Sequence, residues 1–243
     1  MQKTPLFLMI EGNIGSGKST FLKSIKKDLP HINCIPEPVN AWQSNDKDEN
    51  LLDLFYKDMP RWAYTFQTFA FISRIKTLLD YQKTSPHLFH AVERSVYCDR
   101  YCFAKNCFEQ NMMTPLEWKL YKDIFSWLVK NYAPKPAGFI YLRTDPAVSA
   151  LRISQRNRHE ENNIPLNYLE ALHHKHEEWL VQKKEIDPHL FDVPVLILDC
   201  NDDFENNAIQ KQKHLHAMQA FIDELNIKQQ ILTQTTFKQE ISR

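Results

Sequence analysis

Short unbroken apolar runs alternate along this chain with longer stretches of helical spacing. Leu6-Phe7-Leu8-Met9-Ile10 is continuous and ends at Glu11, as a strand buried on both faces would. Comparable runs predict strands near Asn33-Cys34-Ile35, at Leu88-Phe89-His90-Ala91-Val92 ending at Glu93, at Phe139-Ile140-Tyr141-Leu142 and at Val195-Leu196-Ile197-Leu198. Between them the spacing predicts helices over about 18–29, 61–82, 116–132, 146–155 and 166–184. In the second of these, Phe66, Phe69, Ile72 and Ile75 recur at three-residue steps. The polar stretch 43–50 reads as a loop, 156–161 as a charged segment, and the residues beyond Asn226 as a loosely held polar tail. Alternating strands and helices predict an α/β fold with a parallel sheet of about five strands, covered by helices on its faces. With no repeat or Pro/Gly-rich linker, residues 1–243 read as a single domain.

Glycine sharpens this picture. Only four occur in 243 residues, and three of them fall within positions 12–17. The conformational freedom glycine supplies is concentrated at the turn after the first strand. There the chain reads Gly12-Asn13-Ile14-Gly15-Ser16-Gly17-Lys18-Ser19, followed by Thr20 and a helix. This is the G-x-x-x-x-G-K-[ST] phosphate loop, and its strand-to-helix setting supports it. Backbone N–H groups of such a loop face phosphate oxygens, and the helix start adds positive potential. Lys18 would reach the β- and γ-phosphates, and Ser19 would offer its hydroxyl to Mg²⁺. The loop implies ATP but not what is done with it. No N-K-x-D guanine signature is present, and the length suits a small-molecule kinase.

Charge and cysteine narrow the partners. Lys+Arg and Asp+Glu are both 30, so no global charge draws the chain to nucleic acid or an anionic membrane. No apolar run approaches the length of a membrane span, and no secretory or transit segment is visible. The expectation is a cytoplasmic protein, with a transit segment ahead of this sequence left open. Five cysteines, an odd number without a C-x-x-C pair, read as reduced thiols. Cys98 and Cys102 can share a helix face, but no histidine nearby in sequence completes a zinc set. His173, His174 and His176 read as a helix surface.

Several further motifs occur in order from about residue 6 to about 205. They include Ile10-Glu11-Gly12-Asn13-Ile14, Pro36-Glu37-Pro38-Val39, Arg61-Trp62 and Thr65-Phe66-Gln67-Thr68-Phe69. Also present are Ser73-Arg74, Glu93-Arg94-Ser95-Val96-Tyr97, Asp99-Arg100-Tyr101 and Ile164-Pro165-Leu166 with Tyr168-Leu169. Together they resemble the deoxynucleoside kinase family, in particular its deoxyguanosine and deoxycytidine kinase branch. The resemblance implies a P-loop kinase fold with an arginine-rich lid. It also implies transfer of the ATP γ-phosphoryl group to the 5′-hydroxyl of a deoxynucleoside, with Mg²⁺ as cofactor.

It assigns roles as well. Glu37, held between prolines at a strand end, would be the base for the hydroxyl. Arg94 would balance phosphate charge and steer Glu37, with Lys18 completing the catalytic set. Glu93 would join Ser19 at the metal. Gln67 would read the nucleobase edge, flanked by Phe66 and Phe103, while Trp42 lines the pocket near Glu37. Tyr56 and Glu161 would grip the sugar 3′-hydroxyl. Arg152, Arg156 and Arg158 match the lid, although Asn157 stands where relatives often have glycine. Asp203 and Phe204 resemble the loop that contacts adenine. Gln67, Ala70 and Arg74 share a helix face at spacings of three and four. Arg74 can pair with Asp99, a charged pair that resembles the deoxycytidine and deoxyguanosine kinases and disfavours thymidine.

Two rivals remain at this level. A nucleoside monophosphate kinase would need cations for the acceptor's own phosphate. A non-catalytic relative would not need Lys18, Ser19, Glu37, Arg94 and the lid arginines together. Relatives suggest a homodimer through helices flanking the sheet.

Overall fold

A computed structural model describes residues 5–43, 50–84, 86–161 and 164–241, with side chains described as far as residue 230. The predicted loop 43–50 therefore lies largely outside the described residues.

The five apolar runs form five strands: β1 (Leu6–Glu11), β2 (Ile32–Ile35), β3 (Phe89–Glu93), β4 (Pro136–Arg143) and β5 (Val195–Asp199). They make one all-parallel sheet in the order β2-β3-β1-β4-β5. β1, at the centre, is buried on both faces, which accounts for its unbroken apolar run. β5 departs from the expectation of a core strand. It is an edge strand, and Ile197 on it is exposed.

Helix α1 (Lys18–Asp28) leaves the glycine loop and buries Phe21, Leu22 and Ile25 over β2 and β3. A short helix, α2 (Leu51–Lys57), was not signalled by periodicity; Asn50 caps it by accepting from Asp53 N at 3.0 Å. The long helix α3 (Met59–Thr84) follows. Its three-residue apolar steps each slip about 60° around a 3.6-residue helix. Phe66 and Ile75 consequently point to opposite sides of the helix and are both buried, while Phe69 and Ile72 between them are exposed.

After β3 the chain enters α4 (Val96–Cys98), a π-helical turn (Asp99–Ala104) and α5 (Lys105–Glu109). Helix α6 (Pro115–Tyr132) starts at a full capping box of Thr114 and Glu117 with Pro115 at its first position. Helix α7 (Pro146–Arg156) is capped by Asp145 and ends on Asn157, whose φ is +52°. Asparagine tolerates this left-handed position without the freedom of glycine, so the lid helix stops there as it would at a glycine. Helix α8 (Leu166–His176) runs into a π-helical turn (Glu177–Val181), ending a few residues short of the expected boundary.

The main core lies on one face of the sheet. Phe7, Met9, Phe139 and Tyr141 pack there with Phe66, Phe71, Tyr97, Tyr121 and Trp179. A smaller cluster joins Ile14 of the glycine loop to Ile153 of α7 and to Tyr168, Leu169 and Leu172 of α8.

The chain divides into two compact units, Met1–Asn201 and Asp202–Arg243. The second carries α9 (Ala208–Ile241). The polar stretch beyond Asn226 is helical as far as Ile241. The stretch is polar but holds no glycine or proline, and its Gln, Lys, Glu and Leu residues favour helix. Among the described residues, no helix is long and apolar enough to cross a membrane.

Candidate active site

The strand order decides where chemistry can occur. β2, β3 and β1 are neighbours and parallel, so the turns after them open at one edge. Such carboxyl-terminal edges are where open α/β sheets bind ligands. Three sequence motifs meet there: the Pro36-Glu37-Pro38 turn, the Glu93-Arg94-Ser95 turn and the glycine loop.

The glycine loop needs its glycines for two separate reasons. Gly15 has φ +76°, and a Cβ there would lie 2.5 Å from the Ser149 carbonyl oxygen of α7. Gly12 has φ +146°, and its Cβ would meet the Leu142 carbonyl oxygen at 2.7 Å. The loop is thus seated against β4 and α7 at distances that exclude a side chain. Asn13 pins it from the other side by donating to the Leu169 carbonyl of α8 at 2.8 Å. The Lys18 ammonium donates to the carbonyls of Gly12 at 3.0 Å and Asn13 at 2.6 Å. Burial, followed by the charge of Arg94, lowers its pKa to about 7.

Beside the loop, the Ser19 hydroxyl donates to Glu93. The other Glu93 oxygen accepts from the Glu37 backbone N–H at 3.4 Å. Ser19 and Glu93 together offer the hard oxygen donors that suit Mg²⁺, which takes only one or two protein ligands and fills the rest with water and phosphate. The pair therefore fits the expected metal.

Glu37 is the centre of the cluster. Its Oε1 accepts from Arg74 Nη2 at 2.6 Å and from Arg94 Nε at 3.0 Å. Burial pushes its carboxyl pKa up, but Arg74, Arg94 and Lys18 outweigh this and bring it down to about 2. Glu37 is therefore an anion throughout the neutral range. Arg94 is placed by an unusual backbone. Its φ is +60°, and its N–H donates to the Ile10 carbonyl at 2.9 Å. This positive φ on a non-glycine residue at the strand end is the kind of strain that active sites retain. Its guanidinium also lies 4.5 Å from the Phe103 ring centroid.

Arg74 bridges two carboxylates. Besides Glu37, it binds Asp99 through Nε at 2.8 Å. Its remaining nitrogen, Nη1, is buried and makes no hydrogen bond within the described residues. Burial raises the Asp99 carboxyl to about 7 against the pull of Arg74. Gln67, Ala70 and Arg74 are all buried on one face of α3, as their spacing predicts. Gln67 has only a long 3.9 Å approach of its amide nitrogen to Cys107 Sγ, so its amide is weakly held.

The aromatic residues are ordered by contacts invisible in the sequence. Phe66 stacks on Phe55 at 4.6 Å and meets Trp42 edge-on at 5.6 Å. Trp42 Nε1 donates to Ser73 Oγ at 2.9 Å, and the Arg74 guanidinium lies 4.9 Å from the Trp42 ring. Ser73 is thus a supporting residue to which sequence reasoning gave no role.

The arginines expected in a lid take two paths. Arg156 and Arg158 both donate to Glu161, Arg158 at 2.7 Å, so the expected sugar ligand and the lid meet. Glu161 is buried, and its field is, after burial itself, the largest influence raising the pKa of Tyr56. Arg152 instead binds the backbone carbonyls of Cys200 at 2.8 Å and Asn201 at 3.2 Å, just past β5. Asp203 and Phe204 belong to the second unit. There Asp203 accepts from the N–H groups of Glu205 and Asn206, and Phe204 packs edge-on against His214 at 5.4 Å.

One expectation is overturned. His176 is fully buried rather than on a helix surface; His174 is the exposed member of the three. The His176 ring stacks on Tyr141, and its donor atom comes within 4.8 Å of the sulfurs of Cys98 and Cys102. The histidine missing from the cysteine pair thus arrives from α8, 78 residues beyond Cys98. No spacing rule could have signalled it.

Residues 8–223 match the family described as deoxynucleoside kinase. The chain is 39% identical to deoxycytidine kinase 2 of Gallus gallus, covering 91% of this chain and 92% of that protein. It is 38% identical to a probable deoxycytidine kinase of fowlpox virus, over 90% and 89% of the two chains. It is 36% identical to a mitochondrial deoxyguanosine kinase of Xenopus laevis, over 88% and 89%.

Proposed function

The chain belongs to the deoxynucleoside kinase family and is an ATP-dependent deoxynucleoside kinase, and on that premise we propose that the Glu37 cluster transfers the γ-phosphoryl group of ATP to the 5′-hydroxyl of deoxycytidine, deoxyguanosine or deoxyadenosine in preference to thymidine. The observation that carries the preference is Arg74. It is locked between Glu37 and Asp99 with its buried Nη1 still a donor. That donor suits a purine carbonyl or ring nitrogen, and Asp99 suits an exocyclic amine on cytosine or adenine. Gln67 supplies both acceptor and donor beside them. The charged pair fills the space that the thymine 5-methyl group would need.

In this reading Glu37 accepts the hydroxyl hydrogen bond and takes the proton as the phosphoryl group arrives. Its low pKa suits a loose transition state, in which the attacking oxygen needs orientation more than early deprotonation. Lys18 and Arg94 oppose the charge on the transferring phosphoryl group, and Arg156 and Arg158 exclude water from it. Mg²⁺ would be held by Ser19 and Glu93 and would neutralise phosphate charge when bound.

The match across residues 8–223 spans both compact units and supports a single kinase domain. Exposed Phe69 and Ile72 on α3, with Leu116, Leu120 and Trp127 on the neighbouring α6, support a homodimer through these helices. Five free cysteines support the cytoplasm.

The preference is tested by kcat/KM for the four deoxynucleosides on the wild type and on Arg74→Met with Asp99→Ala. The double variant loses overall rate, because Glu37 loses one of its two arginines. The ranking, however, is expected to move toward thymidine. A wild type that prefers thymidine, or an unchanged ranking in the variant, contradicts the role of the pair.

The sugar contact is tested separately. Glu161→Gln and Tyr56→Phe are each expected to raise the nucleoside KM by about tenfold, the loss of one hydrogen bond to a charged group. Both variants should also discriminate less against 2′,3′-dideoxynucleosides, which lack the 3′-hydroxyl. Unchanged discrimination places the 3′-hydroxyl elsewhere.

A further inference from the structure

Behind Arg94 lies a buried chain of contacts that the proposed reaction does not use. Arg94 Nη1 donates to Cys98 Sγ at 3.2 Å. On its other side the same sulfur lies 3.4 Å from His176 Nε2. His176 Nδ1 in turn lies 2.7 Å from the Leu172 carbonyl one helical turn back, so that nitrogen carries the proton. Nε2 is left to accept from the thiol or, when the ring is charged, to donate to the thiolate. In either state the sulfur accepts from Arg94. Cys98, Cys102 and His176 are fully enclosed, so water does not compete for these contacts.

The chain ends at the reacting group. Arg94 Nε holds Glu37 Oε1 at 3.0 Å, and Nη1 of the same planar guanidinium is fixed by the sulfur. A guanidinium held at two edges has little freedom to rotate about its long side chain. We infer that Cys98, backed by His176, is a positioning residue that sets the Arg94 guanidinium on the Glu37 carboxylate. This rests on the assignment of Glu37 and Arg94 above. The charges facing Cys98 from the elements around it are those of Arg94, Glu11, Lys18, Asp99 and His176, with the Cys102 thiol beside it. Burial raises the Cys98 thiol, but the hydrogen bond from Cys102 and the charges of His176 and Arg94 outweigh it and hold it below the ordinary thiol value.

The experiment compares Cys98→Ala, Cys98→Ser and Cys102→Ala in the full chain, with Glu37→Gln as a reference. Kinetics and melting temperature are measured on each, and metal content on the purified wild type and Cys98→Ala. Cys98→Ala is expected to lower kcat by about 10–100-fold, the scale of a displaced catalytic group, while the KM values for ATP and nucleoside change little. Cys98→Ser keeps an acceptor for Arg94 and a donor for His176, and it is expected to restore most of kcat. Cys102→Ala removes the thiol hydrogen-bonded to Cys98 but leaves the Cys98 contact with Arg94 in place, and is expected to cost clearly less kcat than Cys98→Ala. The inference is overturned by a Cys98→Ala enzyme with normal kcat, by a serine variant as slow as the alanine, or by an equal loss in Cys102→Ala. It is also overturned by about one equivalent of a transition metal that disappears with Cys98, because the cluster would then be a metal site. An active Glu37→Gln would sink the underlying reading instead, and the two failures are thereby kept apart.

Discussion

Glu37→Gln is expected to lower kcat by about 10²–10⁴-fold, the usual loss when a general base is removed. The amide keeps the shape of the side chain and its oxygen can still accept from Arg94. It loses the charge that anchors Arg74 at 2.6 Å and Arg94 at 3.0 Å. Two buried guanidiniums then share less negative charge, so a lower melting temperature accompanies the loss of rate. Nucleoside binding, measured by calorimetry with no ATP present, is expected to remain within a few-fold because Gln67, Tyr56 and Glu161 are untouched. A folded variant within a few-fold of wild-type kcat removes Glu37 from the base role.

The second large effect is at the donor site. Lys18→Ala is expected to reduce transfer by at least about 10²–10³-fold, the scale on which one buried donor to developing charge matters. Here the loss compounds with weaker ATP binding. The fold is expected to survive, since among the described residues the Lys18 ammonium donates to carbonyls and a hydroxyl of its own loop. Those carbonyls lose a donor, and a modest fall in melting temperature is the structural trace. The check is ATP consumption alongside a thermal melt. A cooperative melt with near-normal turnover contradicts the phosphate-loop assignment.

Lys18 is proposed from the local glycine-loop pattern, and Glu37 from the resemblance carried by Pro36-Glu37-Pro38. The glycine loop is eight consecutive residues between a strand and a helix, and Glu37 sits in a three-residue turn. The sheet was legible for the same reason: each strand is its own apolar run. Gln67, Ala70 and Arg74 could be placed on one face because helical geometry converts spacing into direction. The pairing of Arg74 with Asp99 then needed only one guess across 25 residues, and the 2.8 Å contact bears it out.

What was missed has a common physical cause. Cys98 meets His176, and Trp42 meets Ser73, through side chains that converge in three dimensions without any period in the sequence. Glu161 and the lid arginines were read as serving sugar and phosphate separately, yet three and five residues suffice to join them. The helical form of the residues beyond Asn226 carried no apolar period, because polar residues without a breaker extend a helix readily. Asn157 shows the reverse case. Asn157 itself takes the left-handed conformation that glycine favours, with φ +52°.

The most direct test supplies ATP labelled in its γ-phosphate, with Mg²⁺, and each of the four deoxynucleosides in turn. Labelled 5′-monophosphate is expected from deoxycytidine, deoxyguanosine and deoxyadenosine at higher kcat/KM than from thymidine, with no comparable transfer to a deoxynucleoside monophosphate. Label that reaches no nucleoside, or that reaches a monophosphate acceptor in preference, would contradict the account.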